Sequence, residues 1–172
     1  MKITQPRLLV AIAATLSALI LQVTLLARLG LPGATPDLLL VVVLALGMAG
    51  GPASGAVMGF SAGLLIDLAP PAAGSLGQTA AVYAIAGYLA GNVVLEPGRP
   101  ELAAMLTIAG LAGGVVIALP VLSWLLGSPQ AAWSEIPFLF ATQALYAVVL
   151  AMVIVPLVGV LYRGAAEEGR TA

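Results

Sequence analysis

Asp37 and Asp67 are the acids set against long apolar runs, Leu38–Ala49 and Ser54–Leu68. They are the side chains of this sequence best able to do chemistry. Charge inside a membrane is costly and is kept where it binds, pairs or moves protons. Two aspartates sharing one proton would make an aspartyl-protease dyad. Their placement argues against it, because Asp37 stands at the start of one run and Asp67 at the end of the next, away from mid-bilayer depth. Asp67 is also preceded by Leu64-Leu65-Ile66, not by the glycine-rich approach of such proteases. No hydroxyl–lysine pair and no carboxylate cluster with metal-ligand spacing is present. The sequence has no Cys and no His, which removes thiol nucleophiles, disulfides, thiolate metal sites and the commonest general base. The reading is therefore of a protein that is not an enzyme and carries no metal or cofactor. Asp37, after Pro36, suits a helix start, where a carboxylate meets free N–H groups and the helix dipole. Asp67 has three readings: a hydrogen-bonding or ion-pairing anchor for a partner, a proton site, or an interfacial acid.

The element that carries Asp67 has an unusual surface. Gly47, Gly51, Gly55, Gly59 and Gly63 recur at every fourth position, and the next step is Asp67. Residues four apart stack on one side of a helix, drifting about 40° per step. From Gly55 onward the run builds an oblique groove without side chains that ends in a carboxylate. In lipid such a groove lets another helix approach to backbone distance. Gly55, Gly59, Phe60, Gly63, Leu64 and Asp67 form the expected packing or partner interface; packing inside the chain and packing against a partner, a second copy included, are both open to it. With 20 glycines in 172 residues, pairs such as Gly87/Gly91 and Gly110/Gly114 also arise from composition alone. Gly87, Tyr88 and Gly91 are a secondary packing candidate, with Tyr83 and Tyr88 filling space beside Gly87. Gln22, Gln78, Asn92 and Gln143 read as interhelical hydrogen-bonding groups.

The chain is 62% hydrophobic and 8% charged, far from the quarter of charged residues usual in soluble domains. A net charge of −1 offers no field for nucleic acid and no polybasic clamp for anionic lipid. The expected architecture is an all-α integral membrane protein, one polytopic domain over 1–172. Its spans fall at about 8–27, 38–49, 54–68, 76–95, 102–126 and 136–162. The first reads as a retained anchor and not a signal peptide, since its apolar core is long and more spans follow. The second and third, separated by Gly50-Gly51-Pro52, are short for a hydrocarbon core of about 30 Å. They read as two short helices or a re-entrant hairpin. Six crossings with a cytoplasmic N-terminus place Lys2, Arg7, Arg99, Arg163 and Arg170 inside and Arg28 alone outside. Treating 38–68 as a single crossing destroys that bias. Both termini are thus expected in the cytoplasm, with a short solvated polar tail bearing Glu167 and Glu168. Trp124 and Trp133 flank the external loop Gly127–Glu135.

Pro36-Asp37-Leu38-Leu39-Leu40 followed by Gly59-Phe60-Ser61-Ala62-Gly63-Leu64-Leu65-Ile66-Asp67 resembles the MreD family of rod shape-determining proteins. Gly74, Tyr83 and Gly87-Tyr88-Leu89-Ala90-Gly91 extend the likeness, which covers roughly residues 36–95. The resemblance implies a non-enzymatic scaffold of the bacterial cell-elongation machinery in the inner membrane, regulating cell shape and lateral peptidoglycan synthesis. It implies a single-span MreC-like partner, with MreB, RodA and a class B penicillin-binding protein in the wider assembly. It also implies the fold of energy-coupling-factor transporter substrate-binding subunits, and such a vitamin-transport subunit is the rival function. Ala14-Thr15-Leu16-Ser17-Ala18 echoes the small-residue contact those subunits use, but a vitamin pocket needs convergent polar and aromatic groups that are scarce here.

Overall fold

A computed structural model describes residues 5–69, 76–93, 101–127 and 133–171. The described residues form helices and no strand: α1 (Gln5–Thr24), α2 (Leu38–Gly50), α3 (Pro52–Leu68), α4 (Gln78–Gly91), α5 (Glu101–Leu125) and α6 (Ile136–Thr171), with single 3₁₀ turns at Leu26–Arg28 and Trp133–Glu135. Segments Arg7–Thr24, Leu102–Leu125 and Trp133–Tyr162 are long and apolar enough to cross a membrane. α2 and α3 are shorter apolar helices.

The boundaries follow from local chemistry. The Asp37 carboxylate caps α2, its Oδ1 accepting from the Leu40 N–H at 3.0 Å. Gly51, at φ +89°, ends α2 by donating its N–H to Gly47 O at 2.7 Å, a backbone conformation that side chains other than glycine resist. Pro52 then opens α3, where its missing N–H costs nothing. Ala69 leaves the helix in an extended conformation, as a residue before proline prefers. Gly77 enters α4 at φ +91°.

Several ends differ from the sequence expectation. α1 stops at Thr24, and Leu26–Arg28 tightens into a 3₁₀ turn. α4 covers Gln78–Gly91, so the ends expected at 76–95 fall in turns or, at 94–95, outside the described residues. The expected short polar tail is instead helix, because α6 runs unbroken through Pro156 to Thr171. Ala165-Ala166-Glu167-Glu168 are good helix formers, and one proline removes only one ladder bond.

Successive helices run antiparallel. The end of α1 meets the start of α2, since Gln22 Oε1 accepts from the Leu39 N–H at 2.7 Å. The end of α3 meets the start of α4 through Asp67, and the start of α4 meets the end of α5 through Gln78 and Ser123. At the opposite face Arg7 of α1 lies over the ring of Tyr162 in α6, 5.3 Å from its centroid. In the middle stands α2, which contacts all five other helices. Every α2 residue except Ala49 is buried. A helix of 13 residues, apolar all round, has no polar face to show and becomes the core. At about 1.5 Å per residue it spans only about 20 Å, which also suits an interior helix better than a lipid-facing one.

Candidate functional site

Gly55, Gly59 and Gly63 of α3 point at α4 of the same chain. A Cβ at Gly55 would overlap the carbonyl of Gly87, and one at Gly59 the carbonyl of Tyr83. At Gly63 it would come within 2.5 Å of the Ala80 Cα. The interface is reciprocal: a Cβ at Gly87 would strike Gly55 O, and one at Gly91 would stand 2.5 Å from Pro52 Cα. α2 joins at the same level, where a Cβ on Gly47 would lie 2.7 Å from Gly87 O and 3.3 Å from Gly55 Cα. Three helices thus meet backbone to backbone around Gly47, Gly55 and Gly87. Close approach multiplies weak dispersion and Cα–H···O contacts, the forces that hold helices together where lipid removes the hydrophobic drive.

One rim of this unit is polar. The Tyr83 hydroxyl, on α4 one turn before Gly87, donates to Asp37 Oδ2, and Tyr83 is only 2% exposed. Asp37 therefore joins the first turn of α2 to the middle of α4, while Gln22 brings in α1. Asp67 Oδ2 accepts from the Gly77 N–H at 2.8 Å and the Ala80 N–H at 3.2 Å. A carboxylate from α3 thus satisfies N–H groups at the start of α4 that lack partners within the helix, where the helix dipole also favours negative charge. Nearby, the Ser123 hydroxyl donates to Gln78 Oε1 at 3.3 Å. Thr142 of α6 accepts from the Ala34 N–H at 3.1 Å, and the Tyr146 hydroxyl donates to Pro32 O at 2.9 Å, fastening the α1–α2 loop to α6.

Among the residues read from the sequence, Gly55, Gly59, Gly63, Gly87 and Gly91 come together in this internal interface, with Pro36 buried and Asp37 half-buried at its rim. Asp67 is half-buried and engaged with the chain's own backbone. Phe60 and Tyr88 point outward, 52% and 50% exposed, and Leu64 is half-buried beside the groove. Gly74 lies outside the described residues. The Tyr83–Asp37 bond was not read from the sequence, since 46 residues separate its ends. The available signal was that Tyr83 precedes Gly87 by one turn, on the face the glycine marks. Among the described residues no three His, Cys, Asp or Glu gather as a metal site.

The sequence model of the rod shape-determining protein MreD family matches residues 2–165 of the 172. No individually curated protein and no solved structure matches the chain.

Proposed function

Because the chain belongs to the MreD family, whose role is rod-shape determination, we propose that it acts as a non-enzymatic scaffold of the cell-elongation machinery. The observation that carries this reading is the state of its two aspartates. Asp37 is engaged with the Leu40 N–H and the Tyr83 hydroxyl, Asp67 with the Gly77 and Ala80 N–H groups. Both therefore hold helices in place. A glycine-packed unit fixed by capped helix ends gives a defined shape to present sideways in the bilayer. Its outward residues on α3 and α4, Phe60, Val57 and Tyr88, are the surface proposed for the transmembrane helix of an MreC-like partner. Through that partner the scaffold would regulate lateral peptidoglycan synthesis, in an assembly extending to MreB, RodA and a class B penicillin-binding protein.

The proposed topology is six passes through the cytoplasmic membrane, arranged as in energy-coupling-factor substrate-binding subunits, with both termini in the cytoplasm. The antiparallel order of the six helices and the five-to-one partition of Lys and Arg support it. Among the described residues, the cavity between α4 and α5 and the one between α1, α2 and α6 are walled by aliphatic and small side chains, without the convergent aromatic and polar groups that the rival transport reading needs. The test is co-purification of an MreC-like bitopic protein from membranes in mild detergent, comparing the parent with Phe60→Ala and Val57→Ala. Loss of the partner with retained folding supports the surface; undiminished capture by the double variant removes it. A Cys placed at Arg99 should resist impermeant reagents applied from outside, and external labelling there would overturn the topology.

A further inference from the structure

The rim where α1 and α3 begin and α6 passes Tyr162 carries polar groups separate from the glycine-packed interface. Gly50, the last residue of α2, lies between two of them: a Cβ added to it would stand 2.7 Å from Ser54 Oγ and 2.8 Å from the Tyr162 hydroxyl. Hydroxyls from α3 and α6 thus converge on one point. Ser54 is only 6% exposed, and its side chain makes no hydrogen bond among the described residues. α3 begins here without a side-chain cap: Gly51 is its N-cap, Pro52 follows, and the Gly55 N–H is the first to find a helical partner, Gly51 O at 2.9 Å. The N–H groups of Ala53 and Ser54 are left over, at the positive end of the helix dipole. Arg7 of α1 completes the group. An arginine that only anchors a helix at the membrane surface carries its charged head out into water. Arg7 instead lies over the Tyr162 ring, and its Nε is buried with no hydrogen-bond partner among the described residues.

We propose that Arg7, Ser54, Tyr162 and the first N–H groups of α3 form a site for the phosphate of a membrane glycerophospholipid. The group consists of donors and one positive charge, which calls for an anion with several acceptor oxygens; a helix N-terminus with an arginine beside it is suited to phosphate. The surface leading away from the site points to a lipid and not to a soluble phosphate. Between α1 and α3 runs a groove of about 220 Å³ lined by Leu8, Ile12, Leu16, Val57, Met58 and Leu65. It starts at Leu8, next to Arg7, and at Val57, one turn after Ser54. From Leu8 to Leu16 it extends about 12 Å at 1.5 Å per residue, most of the depth of one leaflet. Thr15 and Ser61 also border it, but their hydroxyls are spent on the Ala11 and Val57 carbonyls of their own helices. A polar head site therefore opens into an apolar channel for an acyl chain. A lipid held there would bridge α1, α3 and α6. This inference is independent of which partner the scaffold binds.

The test is native mass spectrometry of the whole chain in detergent, titrated with phosphatidylglycerol, with diacylglycerol (tails without phosphate) and with glycerol 3-phosphate (phosphate without tails). The expected result is one saturable phosphatidylglycerol site, with each of the other two probes bound at least about tenfold more weakly. Arg7→Gln should weaken phosphatidylglycerol at least about tenfold, as loss of a hydrogen bond to a charged group does. Arg28→Gln makes the same change of net charge at the opposite rim, where Arg28 is exposed, and should leave binding unchanged. Gly50→Ala keeps Arg7 but displaces both hydroxyls, and should weaken binding several-fold with a melting temperature near the parent's; it carries the test if Arg7→Gln does not fold. Diacylglycerol bound as well as phosphatidylglycerol overturns the phosphate site, and glycerol 3-phosphate bound as well overturns the lipid assignment. Equal losses for Arg7→Gln and Arg28→Gln, or a folded Gly50→Ala protein that binds like the parent, overturn the proposal.

Discussion

α4 meets two neighbours that carry glycines four residues apart, and it treats them in opposite ways. Against α3 the glycines are occupied to the last ångström: the Gly87 and Tyr83 carbonyls fill the places where Cβ atoms of residues 55 and 59 would stand. Against α5, Gly110 and Gly114 border a groove, and the glycine that does pack is Gly113, out of step with them and set against Phe140. Spacing therefore permits close approach without causing it. On the α3 side the approach is completed by matching small residues, Gly87 and Ala80, and by Asp67 tying the helix ends together. On the α5 side the opposing residues are Val82, Ile85 and Leu89, branched side chains that hold the backbones apart.

The largest expected effect comes from breaking the tight side. Gly55→Leu or Gly59→Leu places a branched side chain inside another helix's backbone, where repacking of flexible side chains offers no relief. Overpacking usually costs about 1–3 kcal/mol and more against backbone. Loss of folded, monodisperse protein after extraction is the expected outcome, and cells carrying the variant should round up. Gly110→Leu provides the contrast. It should fold with a melting temperature near the parent's, because its new side chain enters free space. Equal damage at Gly59 and Gly110 would mean the two seams are alike and that their difference in packing has no energetic weight.

Asp67 ranks next. Asp67→Leu removes the acceptor for two N–H groups and should cost about 1–2 kcal/mol, in the range of lost helix caps. Asp67→Asn keeps an acceptor oxygen and loses the charge, so it should retain most of the stability, short by the dipole contribution of about 0.3–1 kcal/mol. Equilibrium unfolding in mixed micelles would separate the two. Equal stability for Leu and parent would show that the cap does not hold the α3–α4 interface. The smallest effect expected is that of Tyr83→Phe, which deletes the hydroxyl that joins α4 to Asp37 while Leu40 still donates to the carboxylate. With that second donor still in place, the loss is that of a typical hydrogen bond, about 0.5–1.5 kcal/mol. Loss in that range, with hydrogen exchange quickened in the first turn of α2, is the expected result. An unchanged exchange rate at Leu39 and Leu40 would mean that α4 plays no part in anchoring α2.

Much of the fold was legible because lipid leaves a chain few choices. Apolar runs must become helices, since backbone groups find no other partners in hydrocarbon, and Gly51-Pro52, Pro70-Pro71 and Pro100 punctuate them. The cap role of Asp37 was equally readable, as it depends on atoms three residues away. Less readable was the destination of the glycine face. Its period announces a close contact, but the partner, α4, is identified only once Gly87, Tyr83 and Ala80 are seen to lie against it. Asp67 shows the same division: its position at a helix end was evident, its use as the cap of a different helix was not.

By itself the sequence determined the elements and the chemistry left out of this protein: apolar helices, their breaks, and a side-chain inventory without Cys or His. These are consequences of composition and of interactions within a turn or two of chain. Tertiary structure alone decided which helix became the core, which glycine pair closed and which stayed open, and which acid held which N–H. α2 is enclosed by five helices because every one of its faces is apolar, yet the choice of neighbour for each face depends on complementary surfaces far apart in the chain. Packing energies of that kind are sums of many short-range contacts, and they exist only when both surfaces are present.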